Sequence, residues 1–136
     1  MRKMQVWEDL SNMKNCPIEV ALIYLGKKWT MQIIRDLFKG KKRFSEFLNA
    51  NPQISTKMLS LRLTELQNSG LVKKKVVSTS PVKVEYFLTR KGKALNKVLF
   101  ELAEFSLQNY PNEVYHNKPN SIKPDIMNLK NFFNAD

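Results

Sequence analysis

Cysteine and histidine are nearly absent from this sequence, which has one of each among its 136 residues. A single cysteine cannot form a disulfide within the chain, and zinc sites held by protein side chains usually take at least three cysteine, histidine or carboxylate ligands. The longest apolar run, VALIYL, is far shorter than the roughly 20 residues that span a bilayer. These absences predict a reduced, cytoplasmic protein with no cofactor, no metal and no membrane partner.

Signatures of enzymes and of secretion are missing as well. The sequence has one histidine, no glycine-rich phosphate loop and no G-x-S-x-G nucleophile motif. Its first residues, MRKMQVWEDLSN, pass from basic into mixed polar sequence without the apolar core of a signal peptide. We therefore expect neither an enzyme nor a secreted protein.

Acidic residues are scarce in the middle of the chain, where basic residues are concentrated. Residues 27–97 contain 17 Lys or Arg and four Asp or Glu, whereas the rest of the chain contains six and eight. Such a surface attracts a polyanion, because neutralising phosphates releases their counterions. Charge alone leaves a second interpretation open, in which the basic surface serves only solubility.

Apolar residues at helical spacing predict three short helices in the first half of the chain. The first runs from Pro17 to Gly26 with Ile18, Ala21, Leu22 and Leu25 toward the core, the second from about Lys28 to Lys39 with Trp29, Ile33, Leu37 and Phe38, and the third through Phe44, Phe47 and Leu48. Proline is tolerated at a first helical position, and Gly26 and Gly40 are typical helix ends. All three helices are predicted to contribute to the core.

A fourth helix is predicted from Ser55, whose hydroxyl can cap it, to the sequence NSG. Leu59, Leu63 and Leu66 fall on one face at 100° per residue. Gly70 followed by Leu71 resembles a Schellman ending.

The apolar period then changes from helical to alternating. Residues 72–77 and 82–88 alternate around the polar loop STSP, which predicts a β-hairpin. Thr89 is expected to cap one long helix to about Tyr110, and residues 123–133 are a candidate for a short terminal helix. The predicted organisation is an N-terminal arm at 1–15, a main domain at 16–110 and a tail at 111–136.

This order of elements predicts a mainly α fold with a small β-hairpin wing, a winged helix-turn-helix in which residues 55–69 enter a major groove of DNA. The residues predicted to read or contact DNA from this helix are Ser55, Thr56, Lys57, Ser60, Leu61 and Thr64. Lysine and hydroxyl side chains suit base edges, and a leucine can contact a thymine methyl group. The alternative is that this face is merely solvated.

Further cations are predicted to contact the DNA backbone. They are Lys41, Lys42 and Arg43 before the third helix, Lys73, Lys75, Ser78, Thr79, Ser80 and Lys83 on the wing, and Arg90, Lys91 and Lys93 after it. The last three lie in the first turn of the predicted long helix, where the macrodipole disfavours cations, so an external anion is expected there. For the wing lysines, protection against edge-to-edge aggregation is an alternative explanation.

Three segments of the sequence together resemble a known family. CPIEVALIYLGKKWTMQIIRDLFKGKKRFSEF, ISTKMLSLRLTELQNSGLV and VEYFLTRKG are similar, in order and spacing, to the HxlR-type winged helix-turn-helix transcription regulators of bacteria. The resemblance covers about residues 16–108. It implies a sequence-specific regulator, expected to be a repressor, that binds double-stranded DNA at a palindromic operator as a homodimer. Terminal residues would supply the dimer contact: Val6, Trp7, Leu10, Phe100, Ala103 and Leu107.

The same resemblance points to Cys16, because some relatives sense electrophiles or oxidants through a cysteine at this position. A thiol at a helix N-terminus is stabilised as its thiolate, and Lys14 adds a favourable charge. A buried, inert cysteine that caps the first helix is the alternative. For the whole chain, the alternative to an operator-binding regulator is a winged-helix module that binds protein or RNA.

Overall fold

The structure, a computed structural model, describes residues 12–136. In chain order its elements are α1 (Pro17–Leu25), α2 (Thr30–Phe38), α3 (Phe44–Ala50), α4 (Thr56–Asn68), β1 (Val72–Thr79), β2 (Val82–Leu88), α5 (Arg90–Lys93), α6 (Asn96–Asn109), α7 (Pro111–Val114) and α8 (Lys123–Phe132). The two strands pair antiparallel as a hairpin. The predicted winged helix-turn-helix is therefore confirmed as the fold of the chain.

The core forms where α2, α3 and α4 meet the base of the hairpin and one side of α6. Ile33, Phe47 and Leu59 are completely buried there. Tyr86 and Leu88 close the core from β2, and Phe47 packs edge-to-face on Tyr86. Burial of each such side chain stabilises the fold by about 1.5–3 kcal/mol.

Both ends of α4 follow the sequence prediction. The Ser55 hydroxyl accepts a hydrogen bond from the backbone N–H of Met58 at 3.0 Å. At the other end Gly70 has φ +78°, and the N–H of Leu71 donates to the carbonyl of Leu66 at 3.0 Å, as in a Schellman motif. These caps fix where the helix begins and ends.

The prediction that α1 is a core helix is wrong. Ile18, Leu22 and Ile23 are 59%, 58% and 66% exposed, and no residue of α1 is buried. Helical spacing identifies an apolar face but not the element that covers it. No helix from residue 12 onward is both long and apolar enough to cross a membrane.

The long helix predicted from Thr89 to Tyr110 is broken into α5 and α6. Thr89 does cap α5, because its hydroxyl accepts from the N–H of Gly92 at 3.1 Å. At Ala94 and Leu95 the ψ angles are −9° and 2°, and the N–H of Leu95 bonds the carbonyl of Gly92 in a tighter, three-residue turn. Apolar spacing could not reveal this break, because α5 contains no apolar side chain that would distinguish it from the helix that follows.

The hairpin is buried only at its base. Val72 and Leu88, which face each other across the strands, belong to the core, whereas Val76 and Val82 are 58% and 69% exposed. The register shifts between Val76 and Ser78, and the hairpin turns at Ser80 and Pro81. The distal half of the wing, which includes exposed valines and Lys83, thus extends away from the domain.

The C-terminal segment, residues 111–136, folds back over α6. Phe133, directly after α8, is 7% exposed and packs edge-to-face on Phe38 with ring centroids 5.6 Å apart. The side-chain amide of Asn96 donates to the carbonyls of Phe133 and Asn134. The Tyr115 hydroxyl donates to a carboxylate oxygen of Asp125. These contacts make the segment an integral part of the domain.

This packing corrects the predicted dimer stripe on α6. Phe100 and Leu107 are 3% and 5% exposed within the chain itself, and Ala103 is half-buried, so this stripe is not the one available to a second subunit. The apolar residues that α6 leaves exposed are Val98, Leu102 and Phe105. The spacing within α6 does not show which of its faces is covered, because α8, which packs against α6, follows later in the chain.

Gly92 lies where α5 crosses the end of α4, and no larger residue fits. A Cβ atom at this position would stand 2.1 Å from the backbone carbonyl oxygen of Leu71. We predict that Gly92→Ala lowers the free energy of unfolding by about 2–3 kcal/mol, as overpacking does. Gly40→Ala is the matched control, because Gly40 has φ +91° but open space around it, and it should cost only about 1 kcal/mol. Urea unfolding at one fixed protein concentration measures both; equal losses would contradict the steric argument.

Candidate nucleic-acid interface

The outward face of α4 carries the side chains predicted to meet DNA. Lys57, Ser60, Leu61 and Thr64 are exposed, whereas Leu59, Leu63 and Leu66 on the opposite face are at most 2% exposed. Ser55 and Thr56, at the start of the helix, are also exposed.

The hydroxyls on this face are not equivalent. Thr64 donates its hydroxyl proton to the carbonyl of Ser60 at 2.9 Å, so toward a ligand it presents only acceptor lone pairs. Ser55 uses its oxygen as the helix cap. Lys57, exposed on the first turn of α4, supplies the positive charge of this face. A base edge approaching α4 would therefore meet the ammonium donor of Lys57, the hydroxyl of Ser60 one turn later, and the hydroxyl acceptor of Thr64 after a further turn.

Arg62 and Glu65, which were not predicted from the sequence, anchor α4 to the rest of the domain. Arg62 donates from Nε to the carbonyl of Lys28 at 2.8 Å and pairs with Glu65, which also binds Lys27 at 3.2 Å. These bonds tie α4 to the turn between α1 and α2, where Trp29 has φ +78°. Such a conformation is strained for a bulky residue and persists only where the surroundings enforce it. The i,i+3 spacing of Arg62 and Glu65 could have predicted their ion pair. It could not have predicted their bonds to Lys28 and Lys27, which lie in a distant turn.

A second missed group fixes the turn that precedes α4. Asp36 is 1% exposed; one carboxylate oxygen accepts from Arg35 Nε at 3.0 Å and the other from Asn51 Nδ2 at 2.8 Å. Asn51 also donates to the carbonyl of Phe47 and accepts from Arg35 Nη2. Every buried side-chain polar atom in the described part of the chain has a partner. Because the buried charge is fully bonded, the turn has one preferred geometry.

The basic loop before α3 is held in place by its own backbone. Glu46 accepts from the N–H groups of Lys42 and Arg43 at 3.2 and 2.9 Å. These two backbone bonds, with smaller contributions from the charges of Lys41 and Arg43, lower the pKa of Glu46. The N–H of Tyr86 donates to the carbonyl of Lys42 at 2.8 Å, which joins this loop to the wing. The loop and the wing thus form one connected cationic surface.

Most cations of the wing remain exposed. Lys73, Lys74, Lys75 and Lys83 are exposed, as are Thr79 and Ser80, whereas Ser78 is half-buried. Lys75 faces Glu85 across the strands and lies 5.4 Å from the centre of the Phe87 ring, so part of its charge is used within the wing. Lys74 was not among the predicted contacts, although it is as exposed as its neighbours.

The helix dipole at α5 gives no reason to expect an external anion beside Lys91. Lys91 donates from Nζ to the carbonyl of Ser69 at 2.9 Å, at the C-terminal end of α4, where the dipole favours a cation. The chain itself therefore supplies a partner for Lys91, and α5 is only four residues long. Arg90 and Lys93 are exposed.

The remaining predicted residues lie at the N-terminal side. Cys16 is the N-cap residue of α1, half-buried, in extended conformation directly before Pro17. Val6, Trp7 and Leu10 lie outside the described residues. The structure therefore joins the basic loop to the wing, exposes the outward face of α4, and places Cys16 at the start of a separate helix.

Comparison with known proteins agrees with this geometry. The profile of the HxlR-like helix-turn-helix family matches residues 24–114. The HTH-type transcriptional regulator YodB of Bacillus subtilis is 45% identical over 94 residues, which are 68% of this chain and 84% of YodB. The uncharacterized HTH-type regulator YvaP of the same organism is 43% identical over 94 residues, 68% of this chain and 87% of YvaP.

Solved structures give the same result. The reduced form of YodB from B. subtilis superposes with a TM-score of 0.63 at 43% identity, covering 71% of this chain and 95% of YodB. The redox regulator HypR in its reduced form gives a TM-score of 0.67 at 37% identity, covering 74% and 100%. YodB structures also include diamide-treated and quinone-bound forms. From its fold, its exposed α4 face and these matches, the chain is a helix-turn-helix transcriptional regulator and belongs to the HxlR family.

Proposed function

We propose that this regulator binds a palindromic operator as a homodimer in the cytoplasm and represses transcription there. The observation that supports this most directly is the exposed face of α4, which opposes a fully buried leucine face. The cationic surface formed by the basic loop and the wing adds to this support. A dimer that lies across a promoter hinders polymerase, which makes repression the simplest outcome.

The division of labour between side chains follows from their positions. Lys57, Ser60, Leu61 and Thr64 would meet base edges in the major groove, which supplies specificity. The basic loop and the wing lysines would contact phosphates, which supplies affinity at any sequence. Because Lys91 is bound to α4, its main role would be to hold the recognition helix, with phosphate contact secondary.

The first prediction concerns Lys57. Lys57→Ala should weaken binding to a duplex from the protein's own promoter by ~1–3 kcal/mol and reduce discrimination against random duplex. Lys118→Ala removes the same charge from an exposed position in the C-terminal segment and should leave both affinities nearly unchanged. Fluorescence anisotropy at several salt concentrations measures both variants.

The same titration separates this proposal from a winged-helix module that binds protein or RNA. A specific regulator should prefer its promoter over random duplex by at least ~10³, and both affinities should fall steeply with salt. Equal affinity for both duplexes would contradict operator binding.

The proposed dimer uses the apolar surface that the structure leaves uncovered. Ile18 and Leu22 of α1 and Leu102 and Phe105 of α6 are each at least 50% exposed. Uncovered apolar side chains in this number indicate an interaction surface. A second copy is the partner that a palindromic operator requires, because two-fold symmetric DNA matches a two-fold symmetric protein.

The second prediction follows from this surface. Leu102→Lys should give a monomer in size exclusion with light scattering, whereas the wild type should give about twice 15.9 kDa. Val76→Lys is the matched control, because Val76 is an equally exposed apolar residue on the wing, and it should remain dimeric. A wild type that is monomeric at micromolar concentration would contradict the dimer.

Cys16 is the proposed site of a thiol response. Its support is the half-buried thiol at the start of an exposed helix, together with the diamide-treated and quinone-bound forms of YodB and the redox regulator HypR. Since the chain has one cysteine, oxidation by diamide must join the Cys16 thiols of two subunits or couple Cys16 to a small thiol, with diamide taking up two electrons and two protons. A quinone would instead be attacked by the thiolate, whose sulfur forms a bond to a ring carbon while the quinone takes up a proton and becomes the hydroquinone thioether.

The third prediction tests this site. Diamide should change the promoter affinity of the wild type by about tenfold, a typical allosteric coupling, and should leave Cys16→Ser unchanged. Mass spectrometry of the same samples identifies the disulfide or adduct. An equal response of both proteins would exclude Cys16 as the sensor.

A further inference from the structure

A cavity of about 430 Å³ lies between α2, α6 and α8. Its apolar walls are Leu99 and Ala103 on α6, Leu129 and Phe132 on α8, and Phe133. This volume falls in the range of roughly 300–1,000 Å³ that is typical of small-molecule sites. Phe132 is 51% exposed, so one wall of the cavity is accessible from solvent.

Two cations complete the lining. Arg35 on α2 and Lys39, the residue that caps the C-terminus of α2, lie one turn apart, where like charges repel each other. The residues that line the cavity include no carboxylate. Asp36, next to Arg35, is buried, and both of its oxygens are bonded to Arg35 and Asn51. The charge at the edge of the cavity is therefore complementary to an anion.

We infer that this cavity binds a small organic anion, a carboxylate on an apolar body. The apolar body would lie against Leu99, Leu129 and Phe132, and the carboxylate would bind Arg35 and Lys39. Arg35 bonds Asp36 and Asn51 through Nε and Nη2, and no bond within residues 12–136 uses its Nη1. That nitrogen can donate to the ligand without breaking the existing contacts.

The site is a feature of this chain more than of its family. The family profile ends at residue 114, whereas α8, which forms one side of the cavity, begins at Lys123. The reduced YodB structure is matched over 95% of its length but covers only 71% of this chain. The segment that creates the cavity therefore lies beyond the region the family shares.

Binding of a ligand in the cavity would affect the DNA-binding face through Arg35, and this step rests on the proposed function. Arg35 holds the side-chain oxygen of Asn51 at 3.1 Å, and the carbonyl of Asn51 accepts from the N–H of Ile54, directly before the cap of α4. An anion bound at Nη1 shares the positive charge of the guanidinium with Asp36 and Asn51, which weakens the bonds at Nε and Nη2 without replacing them. The ligand is therefore an effector that changes the geometry of the turn before α4.

Isothermal titration of the full chain without DNA tests the site. The probe is 2-naphthoate, and its neutral counterpart is 2-naphthamide, which has the same apolar body. Naphthoate should bind about tenfold more tightly than the amide. Lys39→Gln should weaken naphthoate about three- to fivefold without affecting the amide. Ala103→Phe, which fills the cavity, should abolish binding of both.

Lys97→Gln is the control for net charge, because Lys97 is an exposed cation on α6 that does not line the cavity. The site would be overturned if naphthoate and naphthamide bind equally or if neither binds at millimolar concentration. It would also be overturned if Lys39→Gln and Lys97→Gln lose equal affinity, or if binding is unchanged in Ala103→Phe.

A second titration tests the coupling. Saturating naphthoate should change the promoter affinity of the wild type severalfold and leave that of Ala103→Phe unchanged. If the promoter affinity does not respond to naphthoate, the coupling through Arg35 is wrong. Operator binding is tested separately in the same experiment, by the preference for promoter over random duplex. If that preference is absent, the proposed function fails and the titration without DNA decides the cavity alone.

Discussion

The buried carboxylate of Asp36 determines how the helix-turn-helix is assembled. It lies on α2 and binds Asn51, which ends α3 and stands four residues before the cap of α4. A buried charge is unfavourable unless it is paired and hydrogen-bonded, so Asp36, Arg35 and Asn51 must keep their mutual geometry whenever the domain is folded. The helices α2 and α3 are thereby tied at one point, and the turn that leads from this point into α4 directs the start of that helix.

The opposite end of α4 is fixed by hydrogen bonds to its backbone carbonyls and by close backbone packing, with one charged donor. The Thr89 N–H and hydroxyl bond the carbonyls of Leu71 and Gly70, Lys91 bonds that of Ser69, and Gly92 leaves no space for a side chain against Leu71. The carbonyls at and beyond the helix end, which would otherwise lack partners, are thus satisfied by the segment that follows the wing. Since both ends are anchored, an exposed surface of short hydroxyls and one lysine can be presented in a defined orientation without contributing to stability itself.

Helix caps, turns and strand alternation depend on residues close together in the sequence, and these features were predicted correctly. The caps at Ser55 and Thr89, the Schellman turn at Gly70 and the alternation of the hairpin are encoded within a few residues, and each appears in the structure. Which apolar face is covered depends on distant segments, so the predictions that α1 is a core helix and that Phe100 and Leu107 face a second subunit were wrong. The partner of Lys91 lies 22 residues away, and the dipole argument failed because it considered only the helix to which Lys91 belongs.

The C-terminal segment connects these observations. It covers one stripe of α6, which leaves Val98, Leu102 and Phe105 as the uncovered one, and it inserts Phe133 into the core beside Phe38. It also forms the cavity at whose edge Arg35 binds Asp36. The same guanidinium thus belongs to the network that orients α4 and to a surface formed by residues outside the family profile. A segment beyond the shared domain is thereby placed to influence DNA binding without any change in α4, because Arg35, which lines the same cavity, also bonds Asn51 in the turn before that helix.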